Sequence, residues 1–431
     1  MSYQRNSIKI GIMITSAILQ FLASNSALKF SMKSHYTSNK GLEMRFYLEN
    51  YGCTLNQAQG EMIANSLISQ GNQLVDDLKS ADSVLLSTCV VIKHTEDRML
   101  RRIEEIKKEG KEVVVSGCLT NIPSTDVRRI DFTYSRGRLP ILKDGNLSVG
   151  IPIAEGCDGG CTFCISRIAR GRLKSFSQNE ILDNVREMVS KGAKEIRLTA
   201  LDTGSYGNDI STTLPQLVEK IAQLKGDFSI RIGMMEPENA SSIIDDLLKV
   251  MESDKVYKFL HIPFQSGDPL VLRKMGRQYK IEKFLEVAAK FRDAYPEGIM
   301  STDVIVGFPY ESVAGLRATA DVIRKVKPEI LNITRYSPRP GTAAYSWKVP
   351  PTNQTAQWSR ILTDIHRDIS ERSLERFVGK ELEVRAMEIG KNGTFIGRDK
   401  NYHPVILKTG KLGEVRKVKI VDSSDFYLIG K

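Results

Sequence analysis

EGCDGGCTFCISR, residues 155–167, packs three of the chain's six cysteines into eight positions. Six cysteines among 431 residues are too few for a disulfide scaffold. Their local crowding points to metal or cluster ligation in a reducing compartment, so a cytoplasmic location is expected. Cys157, Cys161 and Cys164 form C-x3-C-x2-C. A tetrahedral zinc site wants a fourth cysteine or histidine. None of His35, His94, His261, His366 and His403 is close in sequence, although a fold can bring His261 in from a neighbouring strand. Three thiolates with an open position suit an iron–sulfur cluster in which one iron stays free for chemistry.

The surroundings of this stretch read as alternating strands and helices. Strands are expected at 147–156, 195–202, 229–235, 259–266, 300–308 and 331–337, with amphipathic helices such as 179–192 and 314–327 between them. Six βα repeats imply an α/β partial barrel over 145–352, whose active groups gather at the C-terminal mouth. The cysteine stretch follows the first of these strands directly.

Upstream, residues 44–140 read as a small doubly wound parallel domain, with strands at 45–52, 83–90 and 112–118 and helices near 56–70 and 95–109. Cys53, Cys89 and Cys118 each sit at or just past the end of one of those strands, the edge where open α/β sheets bind ligands. Three thiols from three strands can converge there; burial as structural cysteines is the competing reading. Downstream, a polar helical connector over 353–379 leads to short strands over 380–431, expected to close as a five-stranded OB-like β-barrel. That segment holds 11 Lys or Arg against 7 Asp or Glu, and the whole chain carries a net charge of +11, both suited to a polyanionic partner. No apolar run approaches the ~20 residues of a membrane span, so no membrane partner is expected, and nothing calls for more than a monomer. Residues 8–27 resemble the apolar part of a signal peptide, but export conflicts with reduced cysteine chemistry. Residues 1–43 are therefore read as an extension preceding a domain that opens at Met44, or as the product of an upstream start.

The C-x3-C-x2-C motif after a first barrel strand, with Phe163 before its last cysteine, resembles the radical S-adenosylmethionine (SAM) superfamily. The resemblance narrows over nearly all the chain from residue 44 onward. YGCTLNQAQGEM, STCVVIKHTEDRML, SGCL, GCDGGCTFCISRIARGR, HIPFQSGDPLVLRKMGRQY, TDVIVGFPYES, YSPRPGTAAY and GRDKNYHPVIL together resemble the tRNA methylthiotransferases, most nearly the archaeal and eukaryotic type acting on threonylcarbamoyladenosine. The family implies a carboxy-terminal TRAM domain and two [4Fe-4S] clusters. Cys157, Cys161 and Cys164 would hold the one that cleaves SAM, and Cys53, Cys89 and Cys118 an auxiliary one that carries sulfur. It also implies an electron donor and a sulfur source. The predicted reaction is 2-methylthiolation of N6-threonylcarbamoyladenosine at tRNA position 37.

Candidate SAM contacts are Glu195, Asp202, Arg231, Gln265, Val306 and Gly307, with Glu311 beside them; an ordinary ion pair or turn is the alternative for each. Candidate RNA contacts are Arg167, Arg170, Arg172 and Lys174 beyond the cysteines. Arg398, Lys400, Asn401, Tyr402 and His403 in the last domain combine charge with an aromatic. The chain departs from the usual family pattern at AQGEM (58–62), where relatives carry DSE, and at Ala200, so contacts near the auxiliary cluster are expected to differ. Competing functions are methylthiolation of a ribosomal-protein aspartate and a zinc-containing RNA-binding protein without catalysis.

Overall fold

The computed structural model describes residues 44–121 and 139–431; the reading of residues 1–43 lies outside them. Near the amino end, β1 (Arg45–Asn50), β2 (Gln73–Val75), β3 (Ser83–Thr88) and β4 (Glu112–Gly117) form one parallel sheet in the order β2-β1-β3-β4. Helices α1 (Thr54–Ser69) and α2 (Lys93–Lys108) make the crossovers. The central strand β3 is buried at every position, as an apolar run covered on both faces must be. Because all four strands are parallel, β1, β3 and β4 end on one edge.

Next come β5 (Ser148–Pro152), a two-stranded brace of β6 (Ala154–Glu155) with β7 (Lys174–Ser175), then β8 (Glu195–Thr199) and β9 (Ser229–Ile232). The set continues with β10 (Phe259–His261), β11 (Ile299–Val306) and β12 (Ile330–Arg335). Apart from the brace, these six strands run parallel as two three-stranded sheets, β5-β8-β9 and β10-β11-β12. Around them lie α3 (Ile165–Arg170), α4 (Gln178–Ser190), α5 (Leu214–Ala222), α6 (Pro237–Val250), α7 (Pro269–Lys274), α8 (Ile281–Ala294) and α9 (Val313–Val326). Side-chain capping starts several of these helices: Ser177 accepts from Glu180, and Thr213 forms a capping box with Gln216. Strand alternation divides the labour. Ile196, Leu198, Ile230, Ile232, Leu260, Val304 and Val306 pack into the main core with Ile181, Val185, Leu217, Leu247, Phe284 and Ile323. Glu195, Arg197, Arg231, Phe259, His261, Asp303 and Asn332 occupy the other face, which is therefore strongly polar.

Helix α10 (Thr352–Glu375) leads to β13 (Glu381–Ile389), β14 (Phe395–Arg398), β15 (Pro404–Leu407), β16 (Val415–Ser423) and β17 (Leu428–Gly430). These close in the order β13-β14-β15-β17-β16. Only β15 and β17 pair in parallel. Among the described residues, no helix is long and apolar enough to cross a membrane.

The small barrel docks through a rigid knob. Asp399 Oδ1 accepts from the Asn401 and His403 amides at 3.1 and 2.7 Å, its Oδ2 pairs with His403 Nδ1 at 2.9 Å, and Tyr402 adopts φ +74° at the tip. Tyr402 enters the amino-terminal end of the large barrel, where its hydroxyl donates to Glu195 Oε1 at 3.2 Å. Its ring lies 4.8 Å from that of Tyr257 and 4.9 Å from that of Phe259. The Arg398 guanidinium lies 4.7 Å from the Tyr402 centroid, and that of Arg231 lies 4.4 Å from the Phe259 centroid and 5.4 Å from that of Tyr402. Asp227 adds a tie, accepting from Arg385 at 2.8 Å and Lys194 at 2.9 Å; these bonds hold its carboxyl well below the usual range. Deleting the buried ring by Tyr402→Ala is expected to cost about 3–5 kcal/mol, whereas Tyr402→Phe, which loses only the hydroxyl bond, costs about 1 kcal/mol. Urea unfolding of the two variants checks both values.

Candidate active site

The cysteine loop is held at both ends. Brace strands β6 and β7 close its base, and Cys157 N donates to Gly171 O at 3.1 Å. Its tip is fixed by Thr162, whose amide bonds Met275 O at 2.9 Å and whose hydroxyl bonds Lys274 O at 2.8 Å. Phe163 packs edge-on to Phe308 with centroids 6.1 Å apart, which anchors the residue before Cys164 in a small apolar cluster. Gly159 lies between two sulfurs: its amide donates to Cys157 Sγ at 3.2 Å, and a Cβ there would sit 3.1 Å from Cys157 Sγ and 3.9 Å from Cys161 Sγ. Arg277 stands by Cys161, bonded to Glu236 at 3.0 Å, with its buried Nε unpartnered.

The second triad forms on the edge of the amino-terminal sheet. Cys89 and Cys118 follow β3 and β4 directly, and Cys53 is the residue before α1. Backbone packing draws them together. Gly52, at φ +101°, leaves room for Cys89, whose Sγ would lie 3.4 Å from a Cβ there. At Gly117, φ +89°, a Cβ would sit 2.4 Å from Thr88 O. All six cysteines are free. Burial pushes the Cys157 thiol up to about 11, and it also raises Cys89, Cys118 and Cys161, with Arg277 opposing the rise at Cys161 and Arg170 at Cys89 and Cys118. Each such thiol must therefore lose a proton when it becomes a ligand.

Arg170, a sequence candidate for RNA contact, is instead committed to the second triad. It projects from α3 of the large barrel into the amino-terminal domain, with Nε 3.1 Å from Cys118 Sγ and Nη2 2.9 Å from Asn56 Oδ1, and it also bonds Gln59 Oε1. Ile165 and Ala169 of the same helix share an apolar core with Cys118, Leu86 and Val115. The departure at 58–62 lies in this joint: Gln59 bridges Arg170 and Glu155, Glu61 pairs with Lys143 at 3.0 Å, and Ala58 abuts Gly150. Ala200 packs against the main core. Arg167, Arg172 and Lys174 are exposed, Arg172 paired with Asp158 at 3.0 Å.

Several other candidates have structural duties. Glu195 and Arg231 lie at the amino-terminal end of the barrel against Tyr402, away from the cysteine loop; Glu195 and Tyr402 are 207 residues apart, and no local pattern announces the partnership. Tyr402 is 7% exposed, which leaves no ring face for a base, and Asn401 and His403 are buried; Lys400 is exposed, and its carbonyl accepts from Lys258 at 3.0 Å. Asp202 caps: it accepts from the Gly204 and Glu236 amides, both at 3.0 Å, and from Asn239 at 2.6 Å, while burial lifts its carboxyl to about 6. Val306 faces the core and its carbonyl is bonded to Tyr336 N. Glu311 accepts from Gly307 N across a tight turn, with burial raising its carboxyl to about 7. Gln265 sits at φ +65° after β10, bridged to Val304. His261 bonds Asp303 Oδ2 at 2.8 Å, and Asn332 bonds the other oxygen at 2.6 Å.

Comparison with known proteins adds the decisive observation. Family models match residues 151–323 (Radical SAM superfamily), 45–133 (Uncharacterized protein family UPF0004) and 375–431 (TRAM domain). The chain is 37% identical to a probable threonylcarbamoyladenosine tRNA methylthiotransferase of Pyrococcus horikoshii, over 90% of this chain and 99% of that one. It is likewise 37% identical to the protein of that name from Methanocaldococcus jannaschii, over 90% and 97%. The chain belongs to the tRNA methylthiotransferase family. Among solved structures, the radical SAM methyltransferase TsrM of Kitasatospora setae shares the fold, with a TM-score of 0.50 at 13% identity over 70% of this chain and 77% of that one.

Membership in this family implies SAM and two [4Fe-4S] clusters, and the residues fit that demand. Each triad offers three free thiols and a half-buried arginine to offset thiolate charge. Among the described residues, no group of three or more His, Cys, Asp or Glu is spaced for a metal ion. His261 is bonded through Nε2 to Asp303. As a structural cap, Asp202 is expected to behave differently from a SAM contact. Asp202→Ala should cost about 2–4 kcal/mol in urea unfolding of the ligand-free chain, while a pure ligand contact would leave that stability unchanged and lower only SAM affinity.

Proposed function

We propose that the chain converts N6-threonylcarbamoyladenosine at tRNA position 37 to its 2-methylthio derivative in the cytoplasm, as a monomer supplied by a reductant and a sulfur donor. The observation that carries this reading is the pair of separate three-thiol sites joined through Arg170, on a chain similar over 90% of its length to proteins of that name. When bound, the clusters and SAM supply one-electron cleavage chemistry and a sulfur to be methylated, which a C–H carbon unreactive toward polar reagents requires.

The chain's own residues do the rest by orientation. Cys157, Cys161 and Cys164 hold one cluster at the mouth that follows β5, and Cys53, Cys89 and Cys118 hold the other on the sheet edge. Arg170 spans the joint and hydrogen-bonds a ligand thiol, so the spacing between the sites does not depend on a flexible linker. The exposed Arg167, Arg172 and Lys174 beside the cysteine loop offer charge for a phosphate backbone, as does Lys400 on the small barrel. Tyr402 and Arg398 contribute indirectly, by fixing that barrel under the large one.

The test is mass spectrometry of tRNA nucleosides from cells with and without the gene. Loss of the 2-methylthio nucleoside, with accumulation of threonylcarbamoyladenosine, is expected. An unchanged profile would contradict the assignment and direct the search to a ribosomal protein.

A further inference from the structure

The segment after β12, YSPRPGTAAYSW (336–347), touches both thiol sites. On one side Ala344 N donates to Thr162 O at 2.9 Å, inside the cysteine loop, and Gly341 lies against Ile168 of α3. On the other side it grips the residues after Cys89. The Lys93 amide at the start of α2 donates to Ser337 Oγ at 3.2 Å, and Arg339 Nη2 bonds Glu96 in the first turn of that helix. Pro338 and Pro340 flank Arg339 and restrict its backbone, and Thr342 closes the turn on the Arg339 carbonyl at 2.6 Å.

Arg339 is 2% exposed, yet its Nε and Nη1 have no hydrogen-bond partner. A buried guanidinium with two idle nitrogens, three N–H groups in all, is costly, because the lost water bonds are not replaced. One ion pair with Glu96 fixes its position without using those donors. Its partner Glu96 and the Lys93–Ser337 bond set it at the start of α2, the helix that begins four residues after Cys89, and Arg170 approaches the same triad through Cys118 and Asn56. A small anion held beside Cys89 would satisfy the idle donors in the forked geometry that suits guanidinium.

We propose that Arg339 is a positioning residue of the auxiliary site, its idle N–H groups gripping an anionic sulfur species, of the hydrosulfide or alkanethiolate class, held beside Cys89. The proposal rests on the reading that Cys53, Cys89 and Cys118 hold the second cluster. The strap makes the role specific: it ties the anion's clamp to the cysteine loop through Ala344, so the sulfur and the SAM-cleaving site share one rigid segment.

The experiment uses the full chain, purified anaerobically with both clusters, titrated with methanethiolate and followed by electron paramagnetic resonance of the reduced auxiliary cluster. Wild-type protein should show a saturable spectral change. Arg339→Gln should weaken that binding about tenfold or more, the loss of a charge-assisted hydrogen bond, at unchanged iron content. Arg339→Lys, which preserves the charge and the tie to Glu96, should recover part of the affinity and decides the matter if the Gln variant fails to fold. A purely structural arginine would alter melting temperature while leaving thiolate affinity intact. Full iron with native affinity in the Lys and Gln variants, or no thiolate binding by wild type, overturns the proposal alone. A wild-type chain with only about four irons overturns the two-cluster reading and the proposal with it.

Discussion

The half-buried guanidinium of Arg170 is the contact on which the arrangement of the two sites depends. A charge taken out of water is tolerated only when neighbours replace the lost hydrogen bonds, and here Cys118, Asn56 and Gln59 do so from the amino-terminal domain. The arginine belongs to the short helix that begins directly after Cys164. One side chain thus couples the end of the barrel's cysteine loop to a thiol of the other triad. Ile165 and Ala169 pack on the same side as Cys118, so apolar burial and the polar network enforce the same docking.

Two further devices make that docking rigid. The segment 336–347 bonds the cysteine loop at Thr162 and the start of α2 at Lys93 and Glu96. At the opposite end, Tyr402 inserts between Tyr257, Phe259, Arg231 and Glu195 and closes the bottom of the barrel. The amino-terminal end of the barrel is thereby filled by side chains from the small barrel. A reaction that generates a radical gains from such enclosure, because water and stray hydrogen donors are kept out.

The elements most legible in the sequence were those with local signals. The spacing of Cys157, Cys161 and Cys164, the strand-end positions of Cys53, Cys89 and Cys118, and the five short carboxy-terminal strands each announce themselves within a few residues. Polar residues were harder. Arg170 reads as one of a basic run, and only the tertiary fold withdraws it from solvent and sets it against Cys118. Glu195, Arg231 and Tyr402 look like ligand contacts because they are polar or aromatic at element ends, yet they pack against one another across an interface between distant segments. Asp202 was misleading for a different reason: a carboxylate after a barrel strand can bind a ligand or cap the next turn, and its three accepted hydrogen bonds commit it to capping. Arg339 carried no signal beyond its flanking prolines, since idle donors are visible only once burial is known.

The central claim is that the six cysteines form two independent cluster sites. Its most direct measurement is iron and acid-labile sulfide analysis of the anaerobically purified chain beside two triple variants, one replacing Cys53, Cys89 and Cys118 by Ala and the other Cys157, Cys161 and Cys164. The account predicts about eight irons in the parent and about four in each variant. An iron-free, zinc-loaded parent, or a variant in which losing one triad empties both sites in a chain that remains folded, would contradict it.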